Sequence, residues 1–444
     1  MPPEPKEAPA MTFAVRRREP VLVGPSKPTP RETKRLSDMD DQEILRSHVP
    51  FAFFYRGGVH AHADDDDPAG VIRHALGEAL VPYYPLAGRL REVEARKLVV
   101  DCTGEGVMFV EADADVRLAE LEAAAGVLAP PFPCMDELLF DVEGSSGILN
   151  CPLLLIQVTR LLCGGFILAL RLNHAMCDAT GIAQFISTVA ELARGLPAPT
   201  TTIAPPWSRE LLDARNPPRP SFPHPEFDAV PPPPPPGDDM VTRTFTFGTA
   251  EVNAIRKRLP PSLRDTATSF EVLTAAVWRA RTAALALSHS HERLAFVCNV
   301  RGLPELGIPA GYYGNASVLA TADTEALVAG SLGDAVELVR QAKATLTAEY
   351  VRSTADILVL RGRPRVAMAS NMLVVSDNRR TGFYGVDFGW GVPVFAGPCC
   401  AMPFCSFILA VRNGDGENAA ALPIMLPRPA MDRFAAEVER LLKG

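Results

Sequence analysis

The sequence predicts a mixed α/β protein that folds in two halves of similar size. Strand-like and helix-like runs alternate in both halves, which favours mixed layers over a single parallel sheet. A proline-rich stretch divides the chain close to its middle. With 444 residues, of which 47% are hydrophobic, the chain is long enough to bury more than one core.

The dividing stretch runs from residue 205 to residue 237 and contains an unbroken proline run over 231–236. Proline has no amide donor and a fixed φ, so this stretch cannot form a helix or an inner strand. We expect a semi-extended crossover over residues 205–240 that joins an N-terminal half, 1–204, to a C-terminal half, 241–444. The alternative is a disordered surface insertion. The crossover is favoured because each flank has the length of a domain.

Hydrophobic periodicity locates the main elements. In the N-terminal half, apolar residues between 71 and 80 share one helical face and predict a helix. Two strands, a hairpin and a second helix follow, over residues 97–101, 107–111, 153–159 with 166–172, and 181–193. In the C-terminal half we expect helices over 270–281, 334–350 and 431–442, and strands over 372–375 and 406–411.

The composition excludes several classes of protein. A net charge of −8 argues against a general nucleic-acid binder. The nine cysteines are scattered and form no C-x-x-C pair, so we expect reduced thiols and no metal site. The N-terminus lacks an apolar signal segment, and the sequence has no apolar run of about 18 residues. We therefore expect a cytoplasmic protein with no membrane partner.

His174 is the first candidate for catalysis. A long apolar strand-like run ends at Leu172, His174 follows two residues later, and a helix is predicted just after it. Side chains at such strand exits are often functional because a rigid scaffold positions them. Histidine titrates near neutrality, so it can accept a proton from a hydroxyl and return it. A hydrogen-bonded structural histidine would give the same pattern, and the run alone does not separate the two interpretations.

Asp178 completes an H-x-x-x-D run with His174. Its carboxylate could orient the imidazole as a triad acid does, cap the following helix, or pair with a distant arginine. The spacing leaves all three interpretations open. Runs typical of P-loop NTPases, of H-E-x-x-H zinc proteases and of G-x-S-x-G serine hydrolases are absent from the sequence, which removes those classes.

A second run, D-F-G-W-G over residues 387–391, places glycines on both sides of Trp390. A kinase D-F-G would be accompanied by a glycine-rich loop and an H-R-D run, and the sequence has neither. We favour a structural interpretation. Trp390 is expected to be buried and to organise a tight loop, with Asp387 in an ion pair or a turn and Gly391 beside it.

Together, the H-x-x-x-D and D-F-G-W-G runs resemble the two signature motifs of the plant BAHD acyltransferases. Their separation along the chain also resembles that family. Three weaker runs occur in the family order, over residues 83–89 (Y-Y-P-L-A-G-R), 269–274 (S-F-E-V-L-T) and 311–316 (G-Y-Y-G-N-A). Each run is weak by itself, but five in this order are highly specific.

The resemblance implies two chloramphenicol-acetyltransferase-like domains joined by a long crossover, with an active-site channel at their interface. It implies that acyl-coenzyme A is a co-substrate, that no cofactor is bound, and that His174 is the general base. Asp178 is expected to pair with Arg301 and support the site. Asp387, Trp390 and Gly391 are expected to be structural. We further expect a monomer whose partners are acyl-coenzyme A and a small alcohol or amine acceptor.

Coenzyme A carries phosphates, so a local basic site is required. The run Arg256, Lys257 and Arg258 precedes Ser269 and is the best candidate in the sequence. We therefore predict that Lys257, Arg258, Ser269 and Asn315 contact coenzyme A. The alternative is a solvated helix face, and the sequence does not decide between them.

The substrate prediction rests on the branch of the family. Residues 20–30, 36–42 and 174–181 resemble benzyl alcohol O-benzoyltransferases and fruit alcohol acyltransferases. This resemblance implies transfer of an aromatic acyl group, with benzoyl-coenzyme A and benzyl alcohol as the best choice. Alternatives are a hydroxycinnamoyl transferase acting on monolignols or other phenolic alcohols, an N-acyltransferase acting on amines or polyamines, and an inert relative that binds a ligand or partner.

Two sequence features bear on the acceptor. Asn378 stands where many relatives have tryptophan, which weakens inferences about the acceptor side. The acidic run over residues 64–67 could recognise a polyamine. A solvated loop before the first helix is favoured instead, because four adjacent like charges repel one another.

Overall fold

A computed structural model describes residues 11–57, 67–142, 147–196, 205–228, 239–286, 292–366, 371–412 and 416–443. By packing, the chain divides into two compact units, and each is discontinuous in sequence. Unit 1 comprises Met1–Arg35, Ser47–Pro205 and Thr381–Cys400. Unit 2 comprises Leu36–Arg46, Pro206–Arg380 and Ala401–Gly444. The division of the sequence into an N-terminal half, 1–204, a crossover, 205–240, and a C-terminal half, 241–444, remains a prediction.

The strands of the described residues are named in chain order. They are β1 (Val15–Arg17), β2 (Val21–Val23), β3 (Thr33–Arg35), β4 (His48–Tyr55), β5 (Arg89–Glu92), β6 (Leu98–Asp101), β7 (Val107–Ala114), β8 (Leu154–Leu161), β9 (Phe166–Asn173), β10 (Met240–Phe247), β11 (Glu292–Asn299), β12 (Ser317–Thr324), β13 (Met372–Asp377), β14 (Phe395–Pro398), β15 (Cys405–Arg412) and β16 (Asn418–Pro427).

The α-helices of the described residues follow the same convention. They are α1 (Pro68–Ala79), α2 (Leu118–Ala125), α3 (Met135–Leu138), α4 (Ala179–Ala193), α5 (Thr249–Lys257), α6 (Pro261–Arg264), α7 (Ser269–Leu285), α8 (Leu332–Ala344), α9 (Ala348–Leu360) and α10 (Arg428–Lys443). Strands and helices are mixed in both units, which confirms the predicted fold class.

Unit 1 is built on a seven-stranded sheet in the order β1-β7-β8-β9-β4-β14, with β2 also pairing with β7. β7 and β8 run parallel, and the other pairs of this sheet are antiparallel. A separate three-stranded sheet has the order β3-β6-β5. α1 and α4 pack against each other, and α1 also contacts β8. β9 is an inner strand, so its hydrogen bonds on both sides fix where its C-terminal end lies.

Unit 2 is built on a six-stranded sheet in the order β10-β16-β15-β13-β11-β12. β13 runs parallel to both β11 and β15, while the remaining pairs are antiparallel. One core contains buried residues of α7, α8 and α10, among them Trp278, Val336 and Phe434. A second core lies around α9 and contains Tyr350 and Leu358.

The predicted elements are present with small changes at their ends, apart from one helix. The single helix predicted over residues 334–350 is wrong: α8 ends at Ala344 and α9 begins at Ala348. Thr347 causes the new start, because its side chain accepts a hydrogen bond from the amide of Tyr350 and caps α9. Apolar spacing continues through both helices, so periodicity did not show the break.

The proline-rich stretch is described only in part. Residues 205–228 contain two single 3₁₀ turns, Arg209–Leu212 and Pro225–Phe227, and no longer helix or strand. The proline run over 231–236 lies outside the described residues. All nine cysteines are free thiols, and Cys163 alone among them is exposed. Within the described ranges, no helix is long and apolar enough to span a bilayer.

Candidate active site

β9 delivers His174 to a fixed position. The strand ends at Asn173, which is completely buried. The amide of His174 then donates to the carbonyl of Ser47 at 2.9 Å, and the amide of Met176 donates back to Asn173 at 3.0 Å. Ala175, Met176 and Cys177 are fully buried, whereas His174 keeps partial exposure. The backbone is therefore held on both sides while the residue keeps partial exposure, as a general base requires, although Nδ1 of its ring is buried.

Asp178 caps the helix that follows. Its Oδ1 accepts a hydrogen bond from the amide of Gly181 at 2.9 Å, which makes Asp178 the N-cap of α4. α4 is anchored by the buried residues Ile182, Phe185 and Val189. The carboxylate, four residues after His174 in the sequence, thus fixes the start of α4. The pairing of Asp178 with Arg301, which belongs to unit 2, stays a prediction.

Arg301 organises the 311–316 run of unit 2. Its Nε donates to the carbonyl of Tyr312 at 3.2 Å, and its Nη2 donates to the carbonyl of Gly314 at 2.6 Å. The guanidinium also lies 5.8 Å from the ring centroid of Tyr312. These contacts hold the run in a single conformation next to β12.

Asn315 belongs to a buried polar framework. Its amide nitrogen and its Nδ2 both donate to Oδ1 of Asp40, at 2.8 and 2.9 Å. The same carboxylate oxygen lies 2.6 Å from Nη1 of Arg209, in an ion pair that is 1% and 0% exposed. Burial disfavours the charged guanidinium, but Asp40 outweighs it and raises the pKa of Arg209. The Asn315 side chain is thus committed to Asp40 inside unit 2.

The basic run lies beside the N-terminus of α7. Nη2 of Arg256 donates to the carbonyl of Ala267 at 3.2 Å, which brings the C-terminal end of α5 to the residues just before α7. Lys257 and Arg258 are exposed. Ser269 is the first residue of α7 and is half-exposed. Nη2 of Arg258 donates to the carbonyl of Arg440. Exposed positive charge close to a helix N-terminus is the kind of arrangement that favours a phosphate.

Sequence reasoning missed two further cations near this helix start. Nη1 of Arg379 lies 3.4 Å from Oγ of Ser269, and Asp377 holds the Arg379 guanidinium at 2.8 and 2.6 Å. Nζ of Lys343 lies 2.7 Å from Oε1 of Glu271, in the first turn of α7. Both cations are distant from Ser269 in sequence, at separations of 110 and about 70 residues, so no local pattern could have identified them.

The D-F-G-W-G run forms a tight loop in unit 1. Oδ1 of Asp387 accepts hydrogen bonds from the amides of Gly389 and Gly391, at 2.7 and 2.9 Å. Both glycines have positive φ, 106° and 83°, which a side chain would strain. Oδ2 of Asp387 also lies 4.0 Å from Nη1 of Arg194. The carboxylate therefore closes the turn and forms a long ion pair as well.

This loop packs against the strands that present His174. The Phe388 ring meets Tyr55 of β4 edge to face, and the Trp390 ring meets Phe166 of β9 in the same way. Oη of Tyr55 donates to the carbonyl of Val386 at 3.0 Å. Trp390 is 8% exposed. The loop packs its aromatic rings against β4 and β9.

Comparison with known proteins gives a consistent result. The Transferase family model matches residues 13–441. A benzyl alcohol O-benzoyltransferase of Petunia hybrida is 51% identical over 99% of this chain and 96% of its own length. An alcohol acyl transferase 1, allele GSa, of Malus domestica is 48% identical over 98% of this chain and 95% of its own length.

The fold agrees with a solved structure of lower identity. The crystal structure of vinorine synthase superimposes with a TM-score of 0.75 at 22% identity, covering 96% of this chain and 98% of that one. At that identity the likeness concerns the fold alone. The family match and the two close relatives together show that this chain belongs to the Transferase family, the BAHD acyltransferases, and is an acyltransferase.

Proposed function

We propose that this protein is an acyl-coenzyme A-dependent O-acyltransferase that transfers an aromatic acyl group, with benzoyl-coenzyme A and benzyl alcohol or a similar alcohol as substrates. The observation that carries the proposal is the accessible His174 on a fixed strand end, in a chain 51% identical to a benzyl alcohol O-benzoyltransferase. Because the second relative is an alcohol acyl transferase, related apolar alcohols fall within the proposal.

In the proposed mechanism His174 acts as general base. It removes the hydroxyl proton as the alcohol oxygen attacks the thioester carbonyl carbon. The resulting tetrahedral oxyanion collapses, the carbon–sulfur bond breaks, and the coenzyme A thiolate leaves. His174 returns its proton to that thiolate, so protons and charges balance. No covalent acyl-enzyme is required, because holding both substrates in one orientation supplies much of the rate.

The proposed phosphate site for coenzyme A lies at the start of α7. Lys257 and Arg258 supply exposed positive charge, and Ser269 supplies a hydroxyl at the first turn of α7, where Thr268 caps the amide of Glu271. Arg379 extends the site because Asp377 holds its guanidinium next to Ser269. Asn315 is buried and its Nδ2 binds Asp40; its contact with coenzyme A stays a prediction.

The remaining predicted residues have supporting roles in this proposal. Asp178 fixes the start of α4, and Arg301 fixes the 311–316 run. Asp387, Trp390 and Gly391 form the loop that packs against β4 and β9. None of them transfers a proton. We also propose that the protein acts as a monomer in the cytoplasm, which sedimentation analysis and imaging of a fluorescent fusion would test.

The amine alternative finds less support. A polyamine would need uncompensated carboxylates at its binding mouth. Asp67, the described member of the acidic run, caps α1 through the amides of Ala69 and Gly70 and also binds the guanidinium of Arg160. The other members, residues 64–66, lie outside the described residues. The carboxylate that can be placed is therefore already neutralised.

A substrate panel tests the proposed function. The purified chain is incubated with benzoyl-, hydroxycinnamoyl- and acetyl-coenzyme A, each with benzyl alcohol, coniferyl alcohol or spermidine, and products are identified by mass spectrometry. Benzyl benzoate is the expected main product. Absence of turnover with every thioester would overturn the proposal and favour an inert relative. Preferential acylation of spermidine would replace it with the N-acyltransferase alternative.

A double variant tests the phosphate site. Lys257→Ala with Arg258→Ala is expected to raise KM for benzoyl-coenzyme A about tenfold, because each lost charge–phosphate contact weakens binding without touching the reacting atoms. kcat should change little, and the increase in KM should shrink at high salt. Arg243→Ala removes an exposed guanidinium of the same unit and is the control. An unchanged KM in the double variant would move the phosphate site elsewhere.

A further inference from the structure

Three polar side chains share one face of the β4–β9 ladder, at the end where His174 begins. In the antiparallel register His48 lies opposite Asn173, and Pro50 lies opposite Arg171. Directly opposed residues point to the same side, and side chains alternate along each strand. His48, Arg171 and Asn173 therefore converge on one patch of the sheet, with neighbouring positions separated by about 5–8 Å.

Each of these side chains has a buried polar atom that the protein leaves unsatisfied. The atoms are Nε2 of His48, Nε of Arg171 and Oδ1 of Asn173, and none of them forms a hydrogen bond with a group of the described residues. Asn173 is 0% exposed. Its Nδ2 donates to the carbonyl of Ile148 at 3.2 Å, which identifies the opposite atom as the acceptor oxygen. A buried polar atom left unpaired is destabilising, so three together point to an occupant.

The titratable groups near His48, Arg171 and Asn173 do not supply the missing partners. Burial lowers the pKa of His48, the positive charge of Arg171 lowers it further, and Asp141 opposes both. His48 is therefore neutral at pH 7. The amide of Cys399 donates to the carbonyl of Pro50 at 3.2 Å, so two thiols approach the ladder. Burial raises the pKa of Cys399, and it raises the pKa of Cys400 to about 11, although Arg171 acts against it. Both thiols stay protonated and provide no anion for Arg171.

We propose that Nε of Arg171, Nε2 of His48 and Oδ1 of Asn173 form a binding site for a hydroxyl group, hereafter the hydroxyl site. Its occupant must donate one hydrogen bond, to Asn173, and accept another, from Arg171. A carboxylate cannot donate and an ammonium group cannot accept, so neither completes the set. A water molecule and an alcohol hydroxyl both do. His48 takes either role, depending on which nitrogen carries its proton.

The position of the hydroxyl site gives it a role in the reaction. Asn173 immediately precedes His174, and the His174 amide is bonded to Ser47, the residue before His48. An alcohol hydroxyl bound there would be a second hydroxyl of the acceptor, so the site would select dihydroxy acceptors. A bound water would instead hold the end of β9 and position His174. Occupation of the hydroxyl site by an acceptor rests on the proposed function, whereas occupation by water does not.

Crystals and kinetics of the full-length protein separate the two sources. Crystal structures are determined for the protein alone and for the protein soaked with 3-hydroxybenzyl alcohol. The ratio of kcat/KM for 3-hydroxybenzyl alcohol to that for benzyl alcohol is measured in the wild type, Arg171→Met, Arg171→Lys and His48→Phe. Arg56→Met removes a guanidinium just past the other end of β4, where it binds Glu122, and serves as the control.

The expected structure shows an oxygen atom within hydrogen-bonding distance of Arg171 Nε and Asn173 Oδ1. If that oxygen belongs to the acceptor, Arg171→Met lowers the kcat/KM ratio about tenfold and Arg171→Lys restores part of it. If it is water, the oxygen is present without acceptor, is lost in crystals of Arg171→Met, and the ratio stays unchanged. Crystals with no oxygen at the site in either state, together with an unchanged ratio, would overturn the proposal. The crystallographic result stands even if the protein acylates none of the alcohols.

Discussion

Two histidines of this protein lie in opposite surroundings, although both have the chemistry of a base. His174 stands just past the end of β9 and is partly exposed as a residue. His224 is 1% exposed in unit 2. Its Nε2 lies 2.8 Å from Oγ of Ser353, and its Nδ1 lies 3.0 Å from Oε1 of Glu226. In order and distance, the His224 cluster (His224, Glu226 and Ser353) has the hydrogen bonds of a serine–histidine–carboxylate triad.

The hydrogen bonds of Ser353 show that the His224 cluster is structural. Oγ of Ser353 accepts from the amides of Ser221 and Phe222, at 2.9 and 3.0 Å. Two donors occupy its lone pairs, so the hydroxyl proton is directed to His224 and Nδ1–H of His224 to Glu226. Ser353 is also 0% exposed. A nucleophile needs a free lone pair and access to a carbonyl carbon, and Ser353 has neither.

The cluster fastens the proline-rich stretch to α9. Arg215 adds to this attachment: its amide and its Nε both donate to the buried carboxylate of Asp356, each at 2.7 Å. Proline-rich chain cannot form its own ladder of hydrogen bonds, so side chains of α9 supply the partners. The comparison teaches that hydrogen-bond geometry alone does not identify a catalytic histidine. Accessibility at a fixed strand end is the property that distinguishes His174.

The strongest test of this contrast is removal of the exposed imidazole. His174→Ala is expected to lower kcat for benzyl benzoate formation by about 10²–10⁴, the range for loss of a general base. The melting temperature should stay near that of the wild type, because the side chain is partly exposed. The measurement is thiol release from benzoyl-coenzyme A together with a thermal melt. Near-normal turnover in the variant would remove His174 from the mechanism.

Removal of the buried Ser353 hydroxyl should have the opposite result to His174→Ala: the protein loses stability and keeps its activity. Ser353→Ala leaves two amide donors and Nε2 of His224 without their partner, so we expect the free energy of unfolding to fall by about 2–3 kcal/mol. kcat/KM at a temperature where the variant is folded should be unchanged. Urea unfolding measures the loss. The control is Ser221→Ala, whose exposed hydroxyl binds Glu349 and should cost less than about 1 kcal/mol. A kcat that fell by orders of magnitude in the folded variant would make the cluster catalytic.

Asp178, the carboxylate that follows His174 in the H-x-x-x-D run, offers a test with a smaller expected effect. Asp178→Ala removes the N-cap of α4 and should cost about 1 kcal/mol of stability, with a modest fall in kcat. Asp178→Asn keeps a capping oxygen and should stay close to the wild type in both respects. A triad acid would behave differently, because the amide replacement alone lowers kcat by about 10⁴. Parallel urea melts and kinetics of the two variants decide between cap and acid.

The half-buried thiol of Cys298 reports on the His224 region, and its expected effect is the smallest of the series. Burial raises the pKa of Cys298 to about 12, against the nearby Lys343, so almost no thiolate exists at pH 8. We expect the exposed Cys163 to be labelled rapidly by a disulfide reagent at pH 8, and Cys298 only slowly. Ser353→Ala should speed the labelling of Cys298 by loosening α9. Peptide mapping by mass spectrometry measures both rates, and equal rates in the wild-type protein would contradict the lower exposure and the raised pKa of Cys298.

Local patterns in the sequence determined the elements and the reaction class. Periodicity of about 3.6 or 2 residues located α4, β8 and β9, because amphipathic faces repeat over neighbouring positions. The H-x-x-x-D and D-F-G-W-G runs identified the family, since each is short and contiguous. Periodicity failed at residues 345–347, where a capping threonine, and not a change in apolar spacing, ends one helix and starts the next.

The partners of each functional side chain were decided by the tertiary structure alone. Asn315 binds Asp40 across 275 residues of sequence, a partner that no local pattern indicated. Arg379 reaches Ser269 across 110 residues, and His224 reaches Ser353 across 129. The same holds for the two units, each assembled from separated segments of chain. A local pattern records which face of an element is apolar, whereas contacts of this length depend on how all the elements pack, and no single segment carries that information.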